Sequence, residues 1–198
     1  MTPHIIPVYG VNGVGKSLFA NFLLSNYLEN YEGMSTDNLR TILRRTTNPD
    51  HVIQQSSYCA WTLFGEETRE NTIKGFKLYR DAPSQLIKFL LDRAIYEGVN
   101  MVFEGIHFNP ETYFQYGDSI RARPVLITVK DESTHIQRLK DKCQGRQGLY
   151  DRIMGYFHSV RSIQEFLIQE AEEYNIPVID NDKDTSKVVR KVLEVVSK

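Results

Sequence analysis

Short apolar runs alternate with longer amphipathic ones along the whole chain of 198 residues. Five short runs read as strands: His4–Tyr9, Glu32–Ser35, Asn100–Glu104, Val125–Val129 and Pro177–Ile179. The last three are apolar and bounded by turn or polar residues, as buried strands are, whereas Glu32–Ser35 is short and more polar. The first contains Pro7, which predicts an irregularity near its start. Between the strands, Lys16–Leu28 places Leu18, Phe19, Phe22, Leu23 and Tyr27 at helical spacing. Asp37–Arg45, Ser133–Cys143 and Leu149–Asn175 also read as helices, and Ser186–Val196 closes the chain behind an N-cap at Asp184 or Thr185. Val52–Gly98 reads as two or three helices. That stretch is too long for a simple crossover, so residues 49–98 are expected to form a helical insertion facing an acceptor. Strands alternating with helices predict an α/β fold with a five-stranded parallel sheet, in one domain spanning residues 1–198.

Composition narrows the classes of partner. The chain holds 24 Lys and Arg against 25 Asp and Glu, a formal net charge of -1, with 41% hydrophobic residues. A protein that lives on nucleic acid carries an excess of cations, because phosphate neutralisation drives its affinity. Any basic site here is therefore local. Cys59 and Cys143 are far apart and form no metal-ligand spacing, which predicts free thiols in a reducing compartment. No stretch resembles a signal peptide or reaches the ~18–20 apolar residues of a membrane span. A cytoplasmic protein without a membrane partner is expected.

The chemistry begins after the first strand. Gly10-Val11-Asn12-Gly13-Val14-Gly15-Lys16-Ser17 matches G-x-x-x-x-G-K-[ST] in full, with a strand before it and a helix after it. The glycines let the backbone curl so that successive N–H groups point at phosphate oxygens. The first helical turn, through Leu18, adds its free N–H groups and the positive end of its dipole. Lys16 is expected to reach the β- and γ-phosphates of ATP, and the Ser17 hydroxyl to ligate Mg²⁺. No NKxD-like guanine signature is present.

An acceptor side follows the second strand, in Ser35-Thr36-Asp37-Asn38-Leu39-Arg40. A carboxylate at the C-terminal edge of a parallel sheet faces the ligand crevice, where Asp37 could receive or orient a hydroxyl proton. Arg40 and Arg44 share a helical face and suit an anionic group on the acceptor. Taken alone, Asp37 reads equally as a helix cap among solvated arginines. Glu104 ends the third strand where a magnesium-holding carboxylate is expected. His107 reads either as an acceptor-site donor or as a buried structural histidine. After the fourth strand come His135, Arg138, Lys142, Arg146 and Arg152, with Gly145 and Gly148 flanking Arg146. Residues 135–152 are expected to fold over the triphosphate as a lid, with Arg138 and Arg146 stabilising transition-state charge. Asn181 and Asp182, after the fifth strand, are candidates for contact with the adenine.

STDNLR resembles the D-x-x-R element of adenylylsulfate kinase and polynucleotide kinase. Ser56–Trp61 (SSYCAW), Gly75-Phe76, Arg93–Gly98 (RAIYEG), Glu104–Pro110 (EGIHFNP), the His135/Arg138 pair, Arg161–Leu167 (RSIQEFL) and Ile176–Asp182 (IPVIDND) resemble, in order along almost the whole chain, the archaeal 2-phosphoglycerate kinase family. That resemblance implies the three-layer P-loop kinase fold and transfer of a phosphoryl group from ATP to 2-phosphoglycerate, giving 2,3-bisphosphoglycerate. It implies that Gly13, Gly15, Lys16 and Ser17 bind ATP and Mg²⁺. It implies that Asp37 faces the acceptor hydroxyl, with Arg40, Ser57, Tyr58 and His107 around the acceptor. Two other readings stand beside this one. One is a kinase of an RNA or DNA hydroxyl, such as tRNA, which the near-neutral charge disfavours. The other is a non-enzymatic switch driven by ATP binding.

Overall fold

The computed structural model describes residues 2–181 and 185–196. Its sheet is built from β1 (His4–Tyr9), β2 (Tyr31–Ser35), β3 (Asn100–Gly105), β4 (Arg121–Ala122), β5 (Val125–Thr128) and β6 (Val178–Asp180). All pairings are parallel, in the order β2-β3-β1-β5-β6, with β4 also pairing with β1. The helices are α1 (Lys16–Asn26), α2 (Thr36–Thr46), α3 (Arg69–Asp81), α4 (Ser84–Glu97), α5 (Pro110–Phe114), α6 (Glu132–Lys142), α7 (Gln147–Gly155), α8 (Phe157–Glu173) and α9 (Thr185–Val196). Every residue of β5 is buried, as is all of β1 beyond His4. Burial on both faces is what helices on both sides of a parallel sheet produce, and it explains why these strands are unbroken apolar runs. α1 packs on β1, β2 and β3 and touches α9, while α8 packs on β5 and α3.

The irregularity expected at Pro7 lies opposite one in the neighbouring strand. β4 and β5 are one strand interrupted at Arg123-Pro124, because both pair with β1 on the same side. Arg123 N donates to Ile5 O at 2.8 Å, so residues 5 and 7 of β1 direct their backbone groups toward that neighbour. Pro7 has no N–H to offer there, and the ladder gap falls at that place. A central strand tolerates its proline because the partner strand is interrupted alongside it. The expected five-stranded sheet is therefore present as five main strands plus the short segment β4.

Three helical details depart from the periodic reading. α1 buries Phe19, Ala20 and Leu23, while Leu18 and Tyr27 are more than half exposed. The helix expected over Leu149–Asn175 is two helices, broken at Tyr156 (φ -120°, ψ 23°). The Tyr156 ring lies 6.0 Å from that of Tyr58 and 6.2 Å from that of Trp61. Gly155 holds a helix weakly, and aromatic packing takes the following residue out of register. Residues 52–97 hold two 3-10 turns followed by α3 and α4. α9 begins at Thr185; of the two expected caps, Asp184 lies outside the described residues.

Candidate active site

The loop between β1 and α1 carries Gly10, Gly13 and Gly15 at φ 148°, 84° and 97°, conformations that a side chain would strain. It lies at the C-terminal edge of the sheet, beside the ends of β3 and β5. Lys16 is buried and its Nζ donates to Val11 O at 2.8 Å. Burial lowers its pKa to about 8, with Lys142 acting in the same direction. Ser17 Oγ donates to Glu104 Oε2 at 3.0 Å, which joins the loop to the end of β3.

Two cavities open on this loop. One, of about 390 Å³, is lined by Gly13, Gly15, Lys16, Ser17, Leu18, Arg138, Lys142 and Asn181. The exposed Leu18 is thus an apolar wall of this cavity. The other, of about 240 Å³, is lined among others by Asn12, Lys16, Asp37, Arg40, Arg44 and Lys142. Ser56, Ser57, Tyr58 and Tyr79 add hydroxyls to it, and Leu149, Arg152 and Ile153 of α7 form another wall. Lys16 and Lys142 line both cavities. In the second, five cationic side chains surround one carboxylate.

Each wall of the second cavity has a structural reason. Asp37 sits in the first turn of α2, where a carboxylate complements the helix dipole. Thr36, just before it, is pinned to β3: its Oγ1 donates to Glu104 O at 3.2 Å and stands 2.8 Å from His107 Nδ1. Gly105 permits this approach, since a Cβ there would lie 1.8 Å from Thr36 Oγ1. Arg40 Nη1 donates to Tyr79 Oη at 3.3 Å and lies 3.6 Å from Asp37 Oδ1. Its buried Nε has no partner among the described residues, which fits an anionic oxygen supplied by a ligand. Arg44 donates from Nε to Ile53 O at 2.7 Å and from Nη2 to Gln55 O, so it fastens the segment that carries Ser56–Tyr58.

Not all expected site residues converge. His107 is buried behind the wall, its ring stacked on Tyr79 at 5.2 Å, and it does not line the cavity. Burial lowers its pKa to about 4, so it is neutral. Arg146 is exposed, donates to Lys142 O at 2.7 Å and lines neither cavity. Gly10 and Val14 are buried within the loop and line neither cavity, and Asp182 lies outside the described residues. Conversely, Lys142, Arg152 and Tyr79 line the second cavity. Lys142 and Arg152 were visible only as members of a cationic run, and Tyr79 carried no local signal.

Ser17 and Glu104 together have the chemistry of a magnesium site. Both are hard oxygen donors at the mouth of an anion-binding loop, the donor set that Mg²⁺ takes. Among the described residues, no group of three or more His, Cys, Asp or Glu side chains could hold a metal. No described helix is long and apolar enough to cross a membrane.

No protein-family model matches the chain. A 2-phosphoglycerate kinase of Methanococcus maripaludis strain C6 is 30% identical over 98% of this chain and 64% of its own. That of Pyrococcus furiosus is 31% identical over 97% of this chain and 65% of its own. The chain therefore spans less than two thirds of the length of these curated relatives. Among solved structures, TT1252 from Thermus thermophilus aligns over 100% of this chain and 97% of its own, with a TM-score of 0.56 at 16% identity. A gluconokinase from Sinorhizobium meliloti 1021 aligns over 99% of this chain and 92% of its own, with a TM-score of 0.52 at 13% identity. These two likenesses concern the fold alone. Over nearly its whole length, the chain is a homologue of archaeal proteins named 2-phosphoglycerate kinase, built on the three-layer fold of P-loop kinases.

Proposed function

We propose that this chain is an ATP-dependent phosphotransferase whose acceptor is a hydroxyl on a small polyanionic metabolite. The best candidate is 2-phosphoglycerate, which would become 2,3-bisphosphoglycerate. The observation that carries this reading is the pair of adjoining cavities that share Lys16 and Lys142, one on the phosphate loop and one holding Asp37 among cations. The names of the homologues support the choice of acceptor. 2-Phosphoglycerate carries a phosphate, a carboxylate and one free hydroxyl. Arg40, Lys142 and Arg152 suit the two anions, and Asp37 suits the hydroxyl. An acceptor space of about 240 Å³ favours a small molecule over a polynucleotide.

In the proposed reaction the acceptor oxygen forms a bond to the γ-phosphorus while the bond from that phosphorus to the bridging oxygen breaks, releasing ADP. The hydroxyl proton passes to Asp37, which also orients the attacking oxygen. Lys16 and Arg138 oppose the charge that builds on the transferring group and on the leaving phosphate. Ser17 and Glu104 would hold Mg²⁺, which neutralises phosphate charge when bound. Arg44 keeps the Ser56–Tyr58 wall in place. In the lid segment, residues 135–152, α6 carries Arg138 and Lys142 and is tied to the loop by His135, so the part that swings is residues 146–152 beyond Gly145 (φ 75°), with the cavity-lining face of α7.

The test is transfer of labelled γ-phosphate from Mg-ATP to a panel of phosphorylated metabolites and tRNA. 2-Phosphoglycerate should be the preferred acceptor. Asp37→Asn should bind ATP normally and lose transfer by about 10²–10⁴-fold, the usual worth of a positioned proton acceptor. Wild-type turnover in that variant would reduce Asp37 to a first-turn partner of the helix dipole, and labelling of tRNA alone would favour a nucleic-acid kinase.

A further inference from the structure

A phosphate cradle depends on where its carbonyls point as well as its amides. In a trans peptide the C=O of one residue and the N–H of the next point in opposite directions. A carbonyl held outward therefore turns the next N–H inward. Three carbonyls of this loop are held by side-chain donors. Lys16 Nζ holds Val11 O at 2.8 Å, from within the loop. The other two holders come from elsewhere. His135 Nε2, on α6, donates to Asn12 O at 2.7 Å. Asn181 Nδ2, just past β6, donates to Val14 O at 2.9 Å. Both side chains are buried.

We propose that His135 and Asn181 are positioning residues for the nucleotide, orienting the 12–13 and 14–15 peptide groups so that the amides of Gly13 and Gly15 face the phosphates. This rests on the reading of the loop as an ATP site.

The protons are determined by the partners. A backbone carbonyl only accepts, so His135 carries its proton on Nε2. Its bare Nδ1 faces Arg161 Nη1 at 3.4 Å. Arg161 also donates to Val129 O at 2.7 Å and to Lys130 O at 2.8 Å, just past the end of β5. Burial lowers the pKa of His135, which favours the neutral ring. Asn181 is held by its own backbone N–H, which donates to Thr128 O at 2.8 Å. Its amide has one workable orientation: Nδ2 meets Val14 O, and Oδ1 accepts from Arg138 Nη2 at 3.4 Å. Gly15 leaves the room for it, since a Cβ there would lie 2.8 Å from Asn181 Nδ2. The cradle is thus referenced to the ends of β5 and β6. The same asparagine joins it to Arg138, a cation of the nucleotide cavity.

Four variants separate hydrogen bonding from bulk. His135→Phe keeps a ring and removes the donor. His135→Gln keeps a nitrogen donor at similar reach. Asn181→Asp keeps the size and an acceptor for Arg138 but sets an oxygen and a negative charge against Val14 O. Asn181→Leu, which removes the donor without adding charge, is measured beside it and should weaken Mg-ATP binding to a similar extent. Mg-ATP affinity is measured by titration calorimetry, KM for ATP and for the acceptor by steady-state kinetics, and folding by thermal melts without nucleotide. His135→Phe and Asn181→Asp should bind Mg-ATP about tenfold more weakly, a change of about 1.4 kcal/mol. Their KM for ATP should rise in parallel, while KM for the acceptor should stay at the wild-type value. His135→Gln should recover most of the loss. Wild-type affinity in a folded His135→Phe, Asn181→Asp or Asn181→Leu overturns the proposal. So does a His135→Gln protein as weak as His135→Phe, which would mean that ring shape matters rather than the donor. If His135→Phe fails to fold, the affinities of His135→Gln and Asn181→Asp decide between the same outcomes. Failure of the wild-type protein itself to bind Mg-ATP would instead overturn the kinase reading.

Discussion

Lys16→Met should stabilise the nucleotide-free protein while abolishing its response to nucleotide. The Lys16 ammonium is buried, and that burial lowers its pKa from 10.5 to about 8. At neutral pH the folded state therefore bears a cost for keeping the charge, up to about 3 kcal/mol. Methionine has similar bulk and no charge. Its substitution removes that cost but also the hydrogen bond to Val11 O, worth about 1 kcal/mol. The net gain of roughly 1–2 kcal/mol corresponds to a melting temperature about 5 °C higher for a chain of this length. The sign with pH follows from proton counting. Between pH 8 and pH 10.5 the unfolded chain holds the Lys16 proton and the folded one has released it. Wild-type stability should therefore rise with pH across that window, and the advantage of Lys16→Met should close. With Mg-ATP at a hundredfold excess over Kd, the wild type should gain about 2.7 kcal/mol and overtake the variant. Thermal melts at pH 7 and pH 10, with and without Mg-ATP, check this. A variant that melts below the wild type at pH 7 without nucleotide, by a gap that pH leaves unchanged, refutes the reasoning.

Two further outcomes are expected. Arg152→Gln should raise KM for the anionic acceptor about tenfold by removing one charged contact, with KM for ATP unaffected in the same steady-state assay. Away from the site, Arg80 and Glu170 form a buried pair at 2.6 Å that joins α3 to α8. Glu170→Met should cost about 3 kcal/mol in urea unfolding, because it strands a buried guanidinium, and adding Arg80→Met should recover most of that. A single-variant loss below about 1 kcal/mol would mean that Asp81, 3.4 Å from Arg80 Nε, compensates.

Several features were legible before any folding is considered because they are written in short windows. The phosphate loop needs glycines, a lysine and a hydroxyl at set spacing, and positive φ at Gly10, Gly13 and Gly15 is a local backbone property. The buried strands declare themselves as apolar runs. Asp37 is in reach of the crevice because strand β2 ends two residues earlier, at Ser35. Where periodicity misled, a distant contact had won, as at Tyr156 against Tyr58 and Trp61.

The membership of the site was decided by docking. Arg40, Tyr79, Lys142 and Arg152 come from α2, α3, α6 and α7 and share one cavity because of how those helices pack. Arg146 belongs to the same cationic run, yet it lies at an exposed turn and turns back on Lys142. His107 follows Glu104 closely in the chain but lies behind the wall, because Thr36 and Tyr79 occupy its two sides. The physical reason is that backbone conformation and hydrophobic period are set by neighbours in the chain. The direction in which a charged side chain finally points is set by partners that no short window contains.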